Sequence, residues 1–278
     1  MKFTHVIYLL SFALTTSPCL AQWVGREAIL KEVEKTFGDP PNMIRLDPVS
    51  RVWADKENQR VVVDGYVALR TGQLEMLACP VGTKEHESIF AVFSKAQIIH
   101  AGLLAVGAKT GSPVKWEPEY TPPTGSEIQV IALWKDSEGE KHTADARTWV
   151  QELGTKDQTL NVNFVFAGSG FWEDPETGKK EYLAESGDLI CVSNFSTAML
   201  DVPMESSKVN AGLMFAAFTE RIPEKATPIR LVLQVVDAKR AADARSNPAT
   251  GAATNPLQQK AAASPQVDAE LKELLGKP

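Results

Sequence analysis

Cysteine is the scarcest informative residue in this chain: three are present, and no two form a CxxC pair. That excludes a zinc ribbon, a cysteine-ligated iron–sulfur cluster and a thioredoxin-type redox site. There is no GxSxG elbow, no phosphate-loop lysine, no dinucleotide fingerprint and no HExxH pair, so none of the chemistries tied to those motifs is signalled. No basic run occurs, which argues against a nucleic-acid partner. Beyond the N-terminus no hydrophobic stretch approaches the roughly 20 residues that a spanning helix needs, so no transmembrane span is expected in the mature chain. No internal repeat is found.

What is present at the N-terminus is ordered as an export signal. Lys2 supplies the positive charge, Val6 to Leu14 the short apolar run, and Cys19-Leu20-Ala21 the small-residue site, so cleavage is expected after Ala21. A lipid anchor on Cys19 is disfavoured by Pro18, which stands where a small residue is wanted. Loss of Lys2 with the leader takes the 29 basic residues to 28 against 35 acidic, a net −7 with histidine neutral. The expected product is an acidic, self-repelling, periplasmic or secreted chain. Its remaining cysteines, Cys79 and Cys191, could form one disulfide in such a compartment or serve as two buried thiols.

Periodicity divides the rest into a helical lead-in (residues 22–48), a domain (49–237) and a tail (238–278). Ile29, Leu30, Val33 and Phe37 recur at helical spacing before Gly38 and Pro40-Pro41. Extended segments are expected at Arg60–Leu69, Gln73–Cys79 and Lys84–Phe93, the last two as a hairpin around Pro80 and Gly82. Lys95 to Val106 reads as a helix capped by Ser94 with Gln97 reaching back. After a Pro/Gly-rich stretch, alternation returns at Ile128–Trp134, Val162–Phe166 and Ile229–Val235. Many strands on short turns with few helices predict a single α+β domain with a largely antiparallel mixed sheet and one or two packing helices. Beyond Val236 the composition shifts to Ala, Gln, Asn, Pro and Ser, too little apolar surface to offset ordering, with a short helix possible at Val267–Leu275.

Several short stretches also resemble a known family. Val61-Val62-Val63-Asp64-Gly65, Leu74-Glu75, Lys84-Glu85-His86-Glu87-Ser88 and His100 to Gly107 are similar to the YdjY-domain family of bacterial exported proteins. So are Phe166 to Phe171, Ile190 to Phe195 and Ala198 to Asp201, in order along roughly Arg51 to Leu233. The resemblance implies an envelope or secreted location and carries no established activity. An iron–sulfur role suggested by name for some relatives does not transfer, because the cysteine spacing is missing.

Three clusters could carry chemistry. The first is Glu75, Lys84, Glu85, His86, Glu87, Ser88 and His100. If the helix packs on the hairpin, His86, His100 and Glu87 or Glu75 could hold a divalent, zinc-like ion and activate water. The plainer reading is a solvated charged turn and a core-edge histidine. The second is Gly168-Ser169-Gly170 with Ser193-Asn194, where bare amides could bind an anion, or where glycines mark a bulge and serine caps a turn. The third is aromatic: Trp116, Tyr120 and Trp172, for stacking on a ligand or partner, or for stapling a loop. The leading expectation is a non-enzymatic envelope domain that binds a partner protein or small ligand, through Glu75, Lys84, His86, Glu87, Ser169, Ser193 and Asn194. The alternative is a metal-dependent hydrolase.

Overall fold

The computed structural model describes residues 18–209, 212–236 and 270–276, with side chains from residue 25 onward. One ten-stranded sheet forms the body. Its central strands are β3 (Arg60–Val67), β6 (Glu127–Lys135) and β14 (Pro228–Val235), and β14 lies antiparallel between the other two. On the far edge of β3, β2 (Val52–Asp55) and β5 (Ser88–Val92) share the pairing, and β1 (Ile44–Arg45) extends β2. Outward from β5 lie β4 (Met76–Pro80) and β12 (Ile190–Cys191). Beyond β6 lie β7 (Lys141–Asp145) and β9 (Phe164–Val165). Two small sheets stand apart, β8 (Val150–Glu152) with β13 (Phe215–Ala217), and β10 (Phe171–Glu173) with β11 (Lys180–Tyr182).

The two-residue alternation seen in the sequence sorts the sheet into two faces. Val61 and Val63, Val130 and Ala132, and Leu231 and Leu233 join the larger core, which α2 (Ala96–Ala105) covers through Ile99 and Leu103. Val62, Ile131, Leu133 and Val232 face the other way, toward α1 (Pro18–Thr36), which presents Val33, with Phe37 just beyond its end. On this second face a buried carboxylate, Asp64, lies between two arginines. Arg51 reaches its Oδ2 at 2.6 Å and Arg230 its Oδ1 at 2.6 Å. The same guanidinium groups bind the carbonyls of Phe37 and Gly38, at the end of α1, and of Leu274.

The structure departs from the sequence reading at three places and decides between two readings at a fourth. Strands β4 and β5 are parallel, not a hairpin: residues 81–87 return the chain to the start of β4, so Met76 lies opposite Ser88. The cap of α2 is not Ser94, whose hydroxyl donates to the Lys95 carbonyl. Glu185 instead accepts from the free Ala96 and Gln97 amides at 3.1 and 2.8 Å. Of the two readings left open for Cys79 and Cys191, the structure has the buried thiols: both are free and sit in separate apolar clusters. The expectation of an unpacked tail does not extend to residues 270–276. Leu271, Leu274 and Leu275 are buried beside α1, and Glu270 pairs with Arg60 at 3.0 Å. A helical spacing of apolar residues explains it, since Leu271, Leu274 and Leu275 fall on one face of a turn.

Residues 1–17 and 237–269, which hold most of the expected leader and tail, lie outside the described residues. Helix α1 runs from Pro18 through the expected cleavage point. Among the described residues no helix is long and apolar enough to cross a membrane.

Candidate functional site

The polar cluster begins at the turn after β4. The Glu87 amide bonds the Lys84 carbonyl at 3.1 Å, so Lys84 and Glu87 sit three apart on a turn and meet. On an extended strand they would have pointed to opposite faces, which is what the sequence alone suggested. The Lys84 ammonium lies 3.0 Å from Asp188, 3.5 Å from Glu87 and 3.6 Å from Glu75, with the Phe195 ring 5.1 Å away. The lysine side chain is 26% exposed, while those of Glu75 and Asp188 are 4% and 8% exposed, so the cation closes a nearly buried acidic nest.

Burial works against the Lys84 charge, but Asp188, then Glu87 and Glu75, outweigh it and hold the pKa above the ordinary lysine value. Burial, reinforced by the charge of Glu87, pushes Glu75 above the usual carboxylate range against the pull of Lys84. The nest therefore contains a carboxyl that takes up a proton readily, beside an ammonium that its acidic neighbours hold charged.

Gly187 makes this geometry possible. Its φ is +131°, and a Cβ built there would stand 2.5 Å from Lys84 Cγ, so a bare backbone lies against the lysine stem. Gly187→Ala is expected to cost about 2–3 kcal/mol through strain and steric displacement of Lys84. Thermal unfolding checks it. A variant as stable as the wild type would show that this contact does not hold the nest.

From Asp188 the network continues across the β12 edge. Asp188 Oδ2 accepts from the Thr197 hydroxyl, and the Thr197 carbonyl accepts from Ser169 Oγ at 2.6 Å. Ser169 and Gly168 both carry positive φ, 55° and 92°, which turns the chain sharply here. The Gly168 carbonyl accepts from the Tyr182 hydroxyl at 3.1 Å, and His100 Nδ1 lies 2.8 Å from the same oxygen. The one Tyr182 proton is spent on Gly168, so Nδ1 of His100 is the protonated nitrogen and Nε2 the acceptor. Burial lowers the pKa of His100, which keeps its ring neutral near pH 7.

A second limb surrounds Asn194. Its Nδ2 donates to Asp201 Oδ1 at 3.0 Å and to the Val202 carbonyl at 3.1 Å. Its Oδ1 accepts from the Ser206 amide at 2.7 Å and lies 3.5 Å from the Tyr120 hydroxyl. Burial drives Asp201 up to about 8, only partly opposed by the Asn194 and Val202 hydrogen bonds. Tyr120 also packs on Trp116 at 5.1 Å, so these two aromatics staple the Pro-rich loop to the domain.

The residues singled out from sequence thus divide. Glu75, Lys84 and Glu87 meet, Ser169 joins them through Thr197 and Asp188, Asn194 centres a separate limb, and Ser193 donates its amide to the Glu75 carbonyl at 3.1 Å. His86 stands apart with a 76% exposed side chain, 3.9 Å from Glu87, while His100 is engaged with Tyr182. His86, His100 and Glu87 do not form one ligand set, and among the described residues no three His, Cys, Asp or Glu side chains are arranged to hold a metal ion. The expected anion cradle is also filled by the protein itself. The amides of Gly168, Ser169, Ser193 and Asn194 bond the carbonyls of Met199, Ala198, Glu75 and Ser207. Two surface clefts, of about 770 and 430 Å³, contain none of these residues.

Asp188, Thr197, Asp201, Tyr182 and Gly187 were missed as site residues. The available signal was an acidic residue on each side of the apolar stretch Leu189–Val192 and Leu200, where a buried strand tolerates charge only with a partner. Every strand that builds the network falls inside one sequence unit: the family model for the YdjY domain matches residues 52–234. No curated protein and no solved structure matches the chain. With the fold and the network contained in that match, which spans well over half of the sequence, the chain belongs to the YdjY-domain family.

Proposed function

We propose that this is an exported cell-envelope protein whose domain is a binding module that docks a partner polypeptide on the β10–β11 hairpin. One observation carries this reading. Phe171 and Trp172 are 58% and 47% exposed, on the two faces of a hairpin strand that belongs to a separate two-stranded sheet. Its base is fixed, because Phe171 packs on Tyr182 at 5.2 Å and Tyr182 is bonded to His100 and Gly168. Rigidly held aromatics lose little entropy on binding and are the residues that most often anchor interfaces. Glu173, Asp174, Glu176 and Glu181 outnumber Lys179 and Lys180 around them, so the matching surface is an apolar pocket with a basic rim. The ordered charge, apolar run and small residues of the leader support delivery to the envelope.

A photo-crosslinking residue at Trp172, in the full chain expressed in its own cell, tests the docking. A discrete adduct is expected from position 172, competed by unlabelled protein and not by the Phe171→Ala, Trp172→Ala double variant. The same label at exposed Lys156 should give none. Equal labelling from both positions, or none from 172, overturns the reading. Sequencing the envelope fraction should find Gln22 first, and an unprocessed cytoplasmic chain would overturn export.

A further inference from the structure

We propose that Lys84 and Asp188 become joined by an intramolecular isopeptide bond, which the protein forms on itself in the nest that Glu75 completes. Four features of the site carry this. The Lys84 nitrogen is 3.0 Å from Asp188 Oδ1, an oxygen with no other hydrogen-bond partner, so nucleophile and acyl group already touch. The other Asp188 oxygen accepts from the Thr197 hydroxyl, which can stabilise negative charge developing on it. Glu75 is 3% exposed and its Oε2 is 3.6 Å from the same nitrogen, which sets a proton acceptor beside the reacting atoms. Gly187 presses on the lysine stem and the Phe195 ring lies 5.1 Å from the ammonium, which restrict the lysine.

The chemistry closes without a co-reactant. Across the 3.0 Å contact the ammonium passes one proton to Asp188 Oδ1, giving a neutral amine and a neutral acid, an uphill step because the surrounding carboxylates hold the lysine charged. Burial raises the proton affinity of Glu75, which suits it to take the next proton from the nitrogen. Lys84 Nζ attacks Asp188 Cγ, and the C–N bond forms while Thr197 holds Oδ2. Glu75 takes a proton from the nitrogen and returns it to the departing Oδ1 hydroxyl. The C–O bond breaks and one water leaves. Nothing is oxidised or reduced. Of the three carboxylates, Asp188 is the acyl partner because it is nearest and because Thr197 fixes its second oxygen. The link would tie the turn after β4 to the segment entering β12, at the edge of the sheet.

Intact mass of the purified, denatured full chain tests this without any variant. The expected mass is lower than the sequence requires by one water, about 18 Da. Trypsin should yield a branched peptide joining residues 71–95 to residues 181–208, with Lys84 uncleaved. Lys84→Arg and Asp188→Ala should restore the full mass, as should Glu75→Gln, which keeps the shape and removes the relay. A wild-type chain at full mass overturns the proposal. So does a water lost elsewhere in the chain. A Glu75→Gln chain that still lacks the water overturns the assignment of Glu75.

Discussion

Asp64→Ala is expected to lower folding stability by about 3–5 kcal/mol, because it removes the carboxylate shared by two nearly buried guanidinium groups and leaves Arg51 with an exposed one, Asp39 at 3.5 Å. Asp64 is fully buried, and Arg51 and Arg230 spend their forks on its two oxygens while their side chains are 6% and 1% exposed. Taking away the carboxylate leaves two positive charges close together beside the Trp53 ring, 4.7 and 5.3 Å from its centre. The damage would extend beyond the strand. Arg51 also holds the Phe37 carbonyl, and Arg230 those of Gly38 and Leu274, so the end of α1 and the 270–276 turn depend on the same charge centre. Urea unfolding should show the midpoint falling, and the melting temperature should drop by about 10 °C. Leu274 should lose protection in hydrogen exchange before the β3 and β14 amides do. A loss under 1 kcal/mol would mean that the arginines find other partners and that the triad does not fix the covering layer.

The triad shows where sequence reading stops. Each strand that carries it was legible: Val61 to Val63 and Leu231 to Leu233 alternate or run apolar as buried strands do, and Asp64 stood inside a motif. Pairing Asp64 with Arg230 needs β3 beside β14, a contact 166 positions apart that no local pattern encodes. The same holds for the helix cap. Ser94 and Gln97 satisfied a local rule, but Glu185, 89 positions away from Ala96, takes the free amides because the chain after β11 brings a full negative charge to the helix start. At Lys84 the error was local. Strand periodicity over Lys84-Glu85-His86-Glu87 sets Lys84 and Glu87 on opposite faces, whereas the turn pairs them and leaves His86 in solvent. That single change of period removes the expected metal ligands and creates the acidic nest.

Asp201→Asn is expected to stabilise the protein at neutral and alkaline pH, which is the reverse of what losing a buried, hydrogen-bonded carboxyl usually does. In the unfolded chain this group ionises near 3.8, while in the fold burial keeps it protonated up to about 8. Between those values the native state retains a proton that the unfolded state has released. The Asp201 contribution is therefore complete below pH 4 and is lost as pH rises to 8. The amide has the shape of the protonated acid. Its oxygen can keep the Asn194 and Val202 donors at 3.0 and 2.8 Å, and its nitrogen replaces Oδ2, which has no hydrogen-bond partner. Asn carries no ionisation to suppress, so its advantage over Asp should grow from near zero at pH 4 to roughly 5 kcal/mol at pH 8, then level off. Neighbouring Asp188 and Tyr120 remain in both proteins, so subtracting the two urea-unfolding profiles at matched pH isolates position 201. A constant difference across pH 4–9 would mean that Asp201 is not held protonated. A variant that grows less stable as pH rises would mean that the carboxylate is favoured by its surroundings, and that the polar network carries a negative charge there.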